Sequence, residues 1–399
     1  MTGRVVPGRG HGKPCPYGGL DGRSDRRRAA LLSGTDPLRM TPDPTLIYSA
    51  EAPETVIPDP APDPNAPGTD APGTDAADPF DDPAVLAPVA RVVDGLRDAV
   101  GSIVVGQDGV IDELIAALLA GGHVLVEGVP GVAKTLTAKL LARASGMDYS
   151  RVQFTPDLMP SDVLGTQIFS PATSAFSFHR GPVFAQIVLI DEINRAPAKT
   201  QAALFEVMEE RQATVDGTTY PMPAPFMVLA TQNPVDHEGT YRLPEAQLDR
   251  FLFKTLVGYP DLESETEMLR RFQAAGGRVP LESVVAVLTP SDIEAAQAAV
   301  RAVRVDEAVL RYAAQIVAAT RRHPALSLGA SPRASVALVV GAKAAAAMSG
   351  RSFATPDDVR SVVAPALRHR VQLTPEREIE GVRPGAVLQR IVEEVDVPR

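Results

Sequence analysis

Apolar residues recur with regular periods only from about residue 85 onward. Val89, Val92, Val93, Leu96 and Val100 repeat at helical spacing, and a second helical pattern runs over 110–120. The apolar run 123–126 is too short for a helix and reads as a strand; a Gly-rich loop at 128–135 and a helical stretch at 136–144 follow it. Residues 149–154 read as a strand. Two β-like arms at 166–169 and 175–178, joined by Pro171-Ala172-Thr173-Ser174, predict a hairpin inserted on the surface. The run 186–190 is a buried strand by its length and branching. A helix over 197–210 places Leu204, Val207 and Met208 on one face, and Asp216-Gly217 is a two-residue hairpin turn between 213–215 and 218–220. Residues 226–230 and 251–257 supply two further strands.

Beyond Pro260 the texture changes to alanine-rich helices at 263–275, 290–302, 306–323, 332–348 and 356–368, several with cap signals such as Thr355-Pro356-Asp357-Asp358 and Ser331-Pro332. The pattern therefore predicts an α/β part over 85–260 and a helical part over 261–399. Residues 1–84 carry no such period. The first 39 are Gly- and Arg-rich, with Arg26, Arg27 and Arg28 clustered, and 41–82 hold ten acidic residues, no basic one and the pentad Ala-Pro-Gly-Thr-Asp twice. That composition cannot bury a core, so a disordered tail ending in an extended acidic linker is expected. Met40 opens the second stretch and offers an alternative start of translation.

Composition narrows the classes. The single cysteine, Cys15, can form no internal disulfide and fits a reducing compartment. No apolar run approaches the ~18 residues of a membrane span, so the chain reads as soluble and cytoplasmic. The net charge of −10 and the absence of tryptophan disfavour a nucleic-acid partner.

The chemistry centres on Gly128-Val129-Pro130-Gly131-Val132-Ala133-Lys134-Thr135. A strand turning through such a loop into a helix aims backbone N–H groups and the positive helix terminus at one spot, where a phosphate sits. Lys134 would reach the terminal phosphates and Thr135 would hold magnesium. Ala133 stands where the strict pattern has glycine, and Leu136 continues the first helical turn. The run 186–190 ends in Asp191-Glu192, 57 residues beyond Lys134. Carboxylates at the end of a parallel strand lie in the crevice where open α/β sheets bind ligands. Asp191 is placed to hold magnesium and Glu192 to orient or deprotonate water. Residues 226–230 deliver Thr231-Gln232-Asn233 to the same crevice, where Asn233 can bond a γ-phosphate oxygen and a water, or simply start an Asn-Pro turn. Gln107, at the start of the second helical pattern, is placed either to clasp adenine or to pack in the core. Arg195, Arg242 and Arg250 all lie on plausible surfaces for a cation on the γ-phosphate.

Taken with the stretches 152–162, 181–184, 191–196, 208–212, 231–234 and 243–251, these motifs resemble the MoxR family of AAA+ ATPases over about residues 88–372. The resemblance implies an AAA+ phosphate-loop fold: a five-stranded parallel sheet in the order 5-1-4-3-2 between helices, then an all-α lid. It also implies ATP and Mg2+ as cofactors. In this family position 133 is commonly Ala or Gly. Carried over, Lys134 and Thr135 are Walker A, Asp191 and Glu192 Walker B, Asn233 sensor 1, Arg250 an arginine finger acting across a subunit boundary, and Arg333 sensor 2. The two hairpins match insertions that in relatives face a central pore or a partner. The implied assembly is a homo-oligomer, a hexameric ring, acting as a chaperone with a von Willebrand factor A domain protein. Two other readings stay open: the motor subunit of a metal chelatase or carboxylase activase, and an ATP-gated scaffold without turnover.

Overall fold

The computed structural model describes residues 83–129, 131–233, 243–278 and 281–398. Residues 1–82 of the tail expected over 1–84, Pro130 of the Gly-rich loop and Arg242 lie outside them, and Pro83 and Ala84 instead open a short 3-10 helix, Pro83–Leu86, that runs into the first long helix. Helices α1 (Ala87–Gly101) and α2 (Asp108–Leu119) precede β1 (Val124–Gly128), the loop and α3 (Lys134–Ala144). Next come β2 (Tyr149–Gln153), α4 (Pro160–Leu164), the antiparallel pair β3 (Gly165–Ser170) and β4 (Ala175–Arg180), then β5 (Ile187–Asp191) and α5 (Ala198–Glu210). A second hairpin, β6 (Gln212–Val215) and β7 (Thr218–Pro221), leads to β8 (Met227–Gln232), α6 (Glu245–Leu248) and β9 (Phe253–Val257). The main sheet runs β2-β5-β8-β1-β9, all parallel. Counted by sheet strand this is the expected order 5-1-4-3-2.

Side chains alternate across these strands, and the three inner strands β5, β8 and β1 are buried on both faces. Val124, Val126, Ile187, Leu189, Met227 and Leu229 join the cluster that holds α1–α3; Leu125, Val188, Ile190, Val228 and Ala230 join a second cluster with Leu204, Phe205 and Phe251. This is why the strands read as continuous apolar runs. The two hairpins are stitched by Phe178 stacked on Tyr220, ring centroids 4.1 Å apart. At the β3–β4 tip, Phe169 and Phe176 meet at 5.2 Å and remain exposed.

The remainder is mostly helical: α7 (Leu262–Ala274), α8 (Pro290–Ala302), α9 (Glu307–Thr320), α10 (Pro332–Met348), α11 (Pro356–Leu367), α12 (Pro375–Ile379) and α13 (Pro384–Glu394). Four two- or three-residue strands, β10 (Arg304–Val305), β11 (Leu326–Leu328), β12 (Phe353–Ala354) and β13 (Gln372–Leu373), tie them in pairs. Thr355 starts α11 with the expected reciprocal cap: Asp358 Oδ2 accepts from the Thr355 N–H at 2.7 Å, and Arg351 grips the same carboxylate at 2.6 Å. Ser331 departs from the expectation. Its hydroxyl makes no cap bond and donates to Asp249 Oδ2 at 2.9 Å, joining α10 to the segment before β9. Helix α13, absent from the pattern reading, buries Val387, Leu388, Ile391 and Val392.

All described residues belong to one compact unit. The helical part shares its core with α1–α3, since the first cluster runs without a break through α8–α11 and α13. At Gly341 of α10 a Cβ would stand 3.0 Å from the Phe253 ring of β9, so this helix packs tightly on the edge strand.

Candidate nucleotide site

The carboxyl edge of the sheet gathers most of the expected residues. β1 ends at Gly128, where a Cβ would lie 2.5 Å from the Val257 carbonyl, so the first loop glycine is required by the neighbouring strand. The loop then bends through Gly131 at φ +87° and Ala133 at φ +60°, and α3 starts at Lys134 with Thr135 and Leu136 in its first turn. Alternation of left- and right-handed backbone with a helix start makes a concave set of N–H donors suited to an anion. Lys134 Nζ donates to the Gly128 carbonyl and, at 3.0 Å, to that of Val129, so the lysine arches over the loop. Gln107 Nε2 donates to the Val132 carbonyl at 3.3 Å and lines a small cavity with Lys134, Thr137, Thr231 and Val257. Gln107, read from the sequence as clasping adenine or packing in the core, is half-buried and bonded to the loop backbone.

Asp191, the last residue of β5, is buried with 6% of its surface exposed. Its Oδ1 accepts from the Thr231 hydroxyl at 3.1 Å and its Oδ2 from Arg151 Nε at 2.6 Å. Burial, a hydroxyl and a guanidinium together hold one carboxylate rigidly at the strand end. Glu192 follows in the left-handed region at φ +57°, uncommon for a residue with a side chain, and its N–H donates to Thr231 Oγ1 at 3.0 Å. Thr231 thus links both acidic residues. The Glu192 carboxylate is held by Gln153 Nε2 at 2.7 Å and by Arg195 at 3.3 Å. Asn233 comes directly after β8, one step past the paired residues Glu127 and Gln232. Asp191 and Thr135 offer carboxylate and hydroxyl oxygens, the hard donors magnesium takes.

Arg250 and Arg333 stand elsewhere. Both meet Glu209, in the last turn of α5: Arg250 Nε lies 3.2 Å from Oε2, and Arg333 Nη2 donates to Oε1 at 2.7 Å. This is the amino edge of the sheet. There His123, just before β1, bonds the Met208 carbonyl through Nε2 at 3.1 Å and accepts from the Val228 N–H through Nδ1 at 2.9 Å. Arg211 donates to the carbonyls of Gly121 and Phe226, the residues leading into β1 and β8. Burial, reinforced by the charge of Arg211, holds the His123 pKa down at about 3, so the ring is neutral with its proton on Nε2.

Gln153 and Glu209 fall in the stretches 152–162 and 208–212 that carry the family resemblance but receive no role from the sequence, and Arg151 lies outside them. Gln153 pairs in register with Asp191 on the adjacent parallel strand, so a known strand order would have found it; the contacts of Glu209 with Arg250 and Arg333 follow from no spacing in the chain.

Residues 123–253 match the ATPase family associated with various cellular activities (AAA), and residues 318–391 match the AAA lid domain. Chaperone MoxR1 of Mycobacterium tuberculosis is 44% identical over 306 residues, 74% of this chain and 80% of that protein. The uncharacterized protein YeaC of Bacillus subtilis is 45% identical over 299 residues, 75% of this chain and 92% of its own. The crystal structure of a candidate ATPase from Cytophaga hutchinsonii superposes with a TM-score of 0.72 at 39% identity, covering 79% of this chain and 96% of that one. Sequence motifs, strand order and these relatives agree, and the chain belongs to the MoxR family of AAA+ ATPases.

Proposed function

We propose that this chain hydrolyses ATP with Mg2+ as one subunit of a ring, a hexamer, that remodels or assembles client proteins as a chaperone with a von Willebrand factor A domain partner. Residues 85–260 form its nucleotide-binding part and 261–399 its lid. The observation that carries the reading is the convergence of the Lys134 loop, Asp191, Glu192 and the Thr231–Asn233 segment on one sheet edge. Loop N–H groups and Lys134 bind and orient the phosphates; Thr135 and Asp191 would hold magnesium, which when bound neutralises phosphate charge. Glu192 takes up a proton from the attacking water, and Asn233 orients that water. Gln153 and Arg195 keep the Glu192 carboxylate in place until then. Arg250 completes the site of a neighbour. The name of the M. tuberculosis relative supports the chaperone reading, and the exposed Phe169–Phe176 tip is a surface where a client could be met. No described helix is long and apolar enough to cross a membrane, and the single cysteine fits a cytoplasmic setting.

Glu192→Gln is the test. Nucleotide binding, read by a fluorescent ATP analogue, stays within about threefold, while turnover falls at least about 100-fold as expected on loss of a general base. Undiminished hydrolysis in this variant sinks the mechanism. Turnover per subunit should also collapse on dilution below the assembly range; a constant value contradicts the shared site.

A further inference from the structure

We propose that Arg151 gates the magnesium ligand: its guanidinium holds Asp191 Oδ2 and must give way before Asp191 takes a divalent cation, so that metal enters the site with nucleotide and not ahead of it. The proposal rests on the ATPase reading above. It starts from the alternation of β2. Tyr149, Arg151 and Gln153 pair in register with Ile187, Leu189 and Asp191 on the neighbouring parallel strand, and alternate residues share one face of a sheet. β2 therefore sends Arg151 and Gln153 to the face that carries Asp191. There Gln153 holds Glu192 at 2.7 Å, and Arg151 Nε donates to Asp191 Oδ2 at 2.6 Å. One edge strand grips both acidic residues of the site.

The two ends of the Arg151–Asp191 pair are held differently. The Asp191 side chain is 9% exposed, and its Oδ1 is tied to Thr231, which also accepts the Glu192 N–H, so the carboxylate stays in place. The Arg151 side chain is 52% exposed and stands on the outermost strand, and among the described residues its hydrogen bond is to Asp191. A carboxylate as buried as Asp191 needs a positive partner. The arginine is the partner that can leave, because its charge is rehydrated when the side chain swings outward. A guanidinium and a doubly charged cation on the same carboxylate repel each other, so each disfavours the other. Magnesium gives up its water reluctantly and is bound through one or two carboxylates plus phosphate oxygens. Alone, it would have to displace the arginine without help. With a triphosphate on the Lys134 loop, the phosphates add oxygens and negative charge, and the exchange becomes favourable. Arg151 thus acts through Asp191 as a positioning residue.

Manganese, which takes the same oxygen ligands and is read by electron paramagnetic resonance, is the probe, on full-length chains. Without nucleotide, Arg151→Gln should bind Mn2+ at least about tenfold more tightly than wild type, and Arg151→Lys, which keeps the charge, within about threefold of wild type. The gain should vanish when Asp191→Asn is added to Arg151→Gln, because the gate works through that carboxylate. In EDTA a fluorescent ATP analogue should bind Arg151→Gln within about threefold of wild type. A merely structural role moves the first result the other way, since loss of support for Asp191 weakens Mn2+ binding. Equal or weaker Mn2+ binding by Arg151→Gln, the same tightening by Arg151→Lys, or a gain that persists beside Asp191→Asn overturns the gate. So does a loss of about tenfold for the analogue in EDTA, which would make Arg151 a phosphate ligand. A wild-type chain that binds no analogue with Mn2+ overturns the ATPase reading and the gate together, whereas analogue binding by wild type with any of the contrary results overturns the gate alone.

Discussion

The two edges of the central sheet are built on different principles. At the carboxyl edge each strand delivers its chemistry within a residue or two of its end: Gly128 into the loop, Asp191 into Glu192, Gln232 into Asn233. Its backbone is bent into uncommon conformations at Ala133 and Glu192 and held there by side-chain bonds. At the amino edge Glu209, Arg250 and Arg333 come from α5, the segment before β9 and the start of α10, and only the packed fold brings them together. That edge also carries a buried network in which His123 and Arg211 satisfy the backbone groups of three elements. The difference separates roles: residues at the carboxyl edge serve chemistry at little cost to the fold, while the amino edge couples its chemistry to stability.

The largest expected effect tests the first half of that contrast. Lys134→Ala removes a cation that arches over the loop onto the carbonyls of Gly128 and Val129, so turnover should fall about 10³-fold, a loss of about 4 kcal/mol in transition-state stabilisation. The melting temperature should move by no more than about 2 °C, since no core contact is lost. A large drop in melting temperature would show that the loop lysine supports the fold, and the contrast would fail.

The second half predicts the reverse for His123. Its ring is neutral in the fold, with a pKa of about 3, and ordinary in the unfolded chain. The unfolded state therefore binds one more proton between about pH 6.5 and pH 3, and stability is lost as pH falls through that window by about 1.4 kcal/mol per unit for this residue. His369, buried on the Phe251 carbonyl and also held well below its usual range, adds in the same direction. Urea unfolding at pH 7.5 and 5.5 should show the loss. His123→Ala, which opens a cavity and orphans two backbone groups, should cost about 2–4 kcal/mol and flatten that slope. An unchanged slope in the variant would remove His123 from the account.

The same division explains what could be read from the sequence. Both hairpins, the helical part and the strand-end residues of the carboxyl edge follow from periodicity and short motifs, because each residue is marked by the strand or turn it adjoins, whereas the strand order came from the family resemblance. Arg333 was legible as a lid arginine, yet its partner Glu209 was not, since no spacing links α5 to α10 without the docked lid. Ser331 looked like a helix cap and is spent on Asp249 for the same reason: tertiary contact outbid a local bond. Helix α13 escaped because its apolar stripe is short and lies past a run of polar residues.

The smallest expected effect concerns Ala133 and tests how much strain the carboxyl edge stores. At φ +60° and ψ 15° its methyl group opposes the following carbonyl, a cost of about 1–2 kcal/mol that glycine avoids. Glycine in turn gives the unfolded chain more freedom, worth about 0.4–1 kcal/mol in the other direction. The second term offsets part of the first, so Ala133→Gly should shift stability by no more than about 1.6 kcal/mol, in the stabilising direction, and leave turnover within about twofold. Chemical denaturation and steady-state kinetics on one preparation read both. A marked loss of turnover with stability unchanged would mean that the methyl group braces the donors around the phosphates, and the strain would then belong to the mechanism of the loop instead of being tolerated by it.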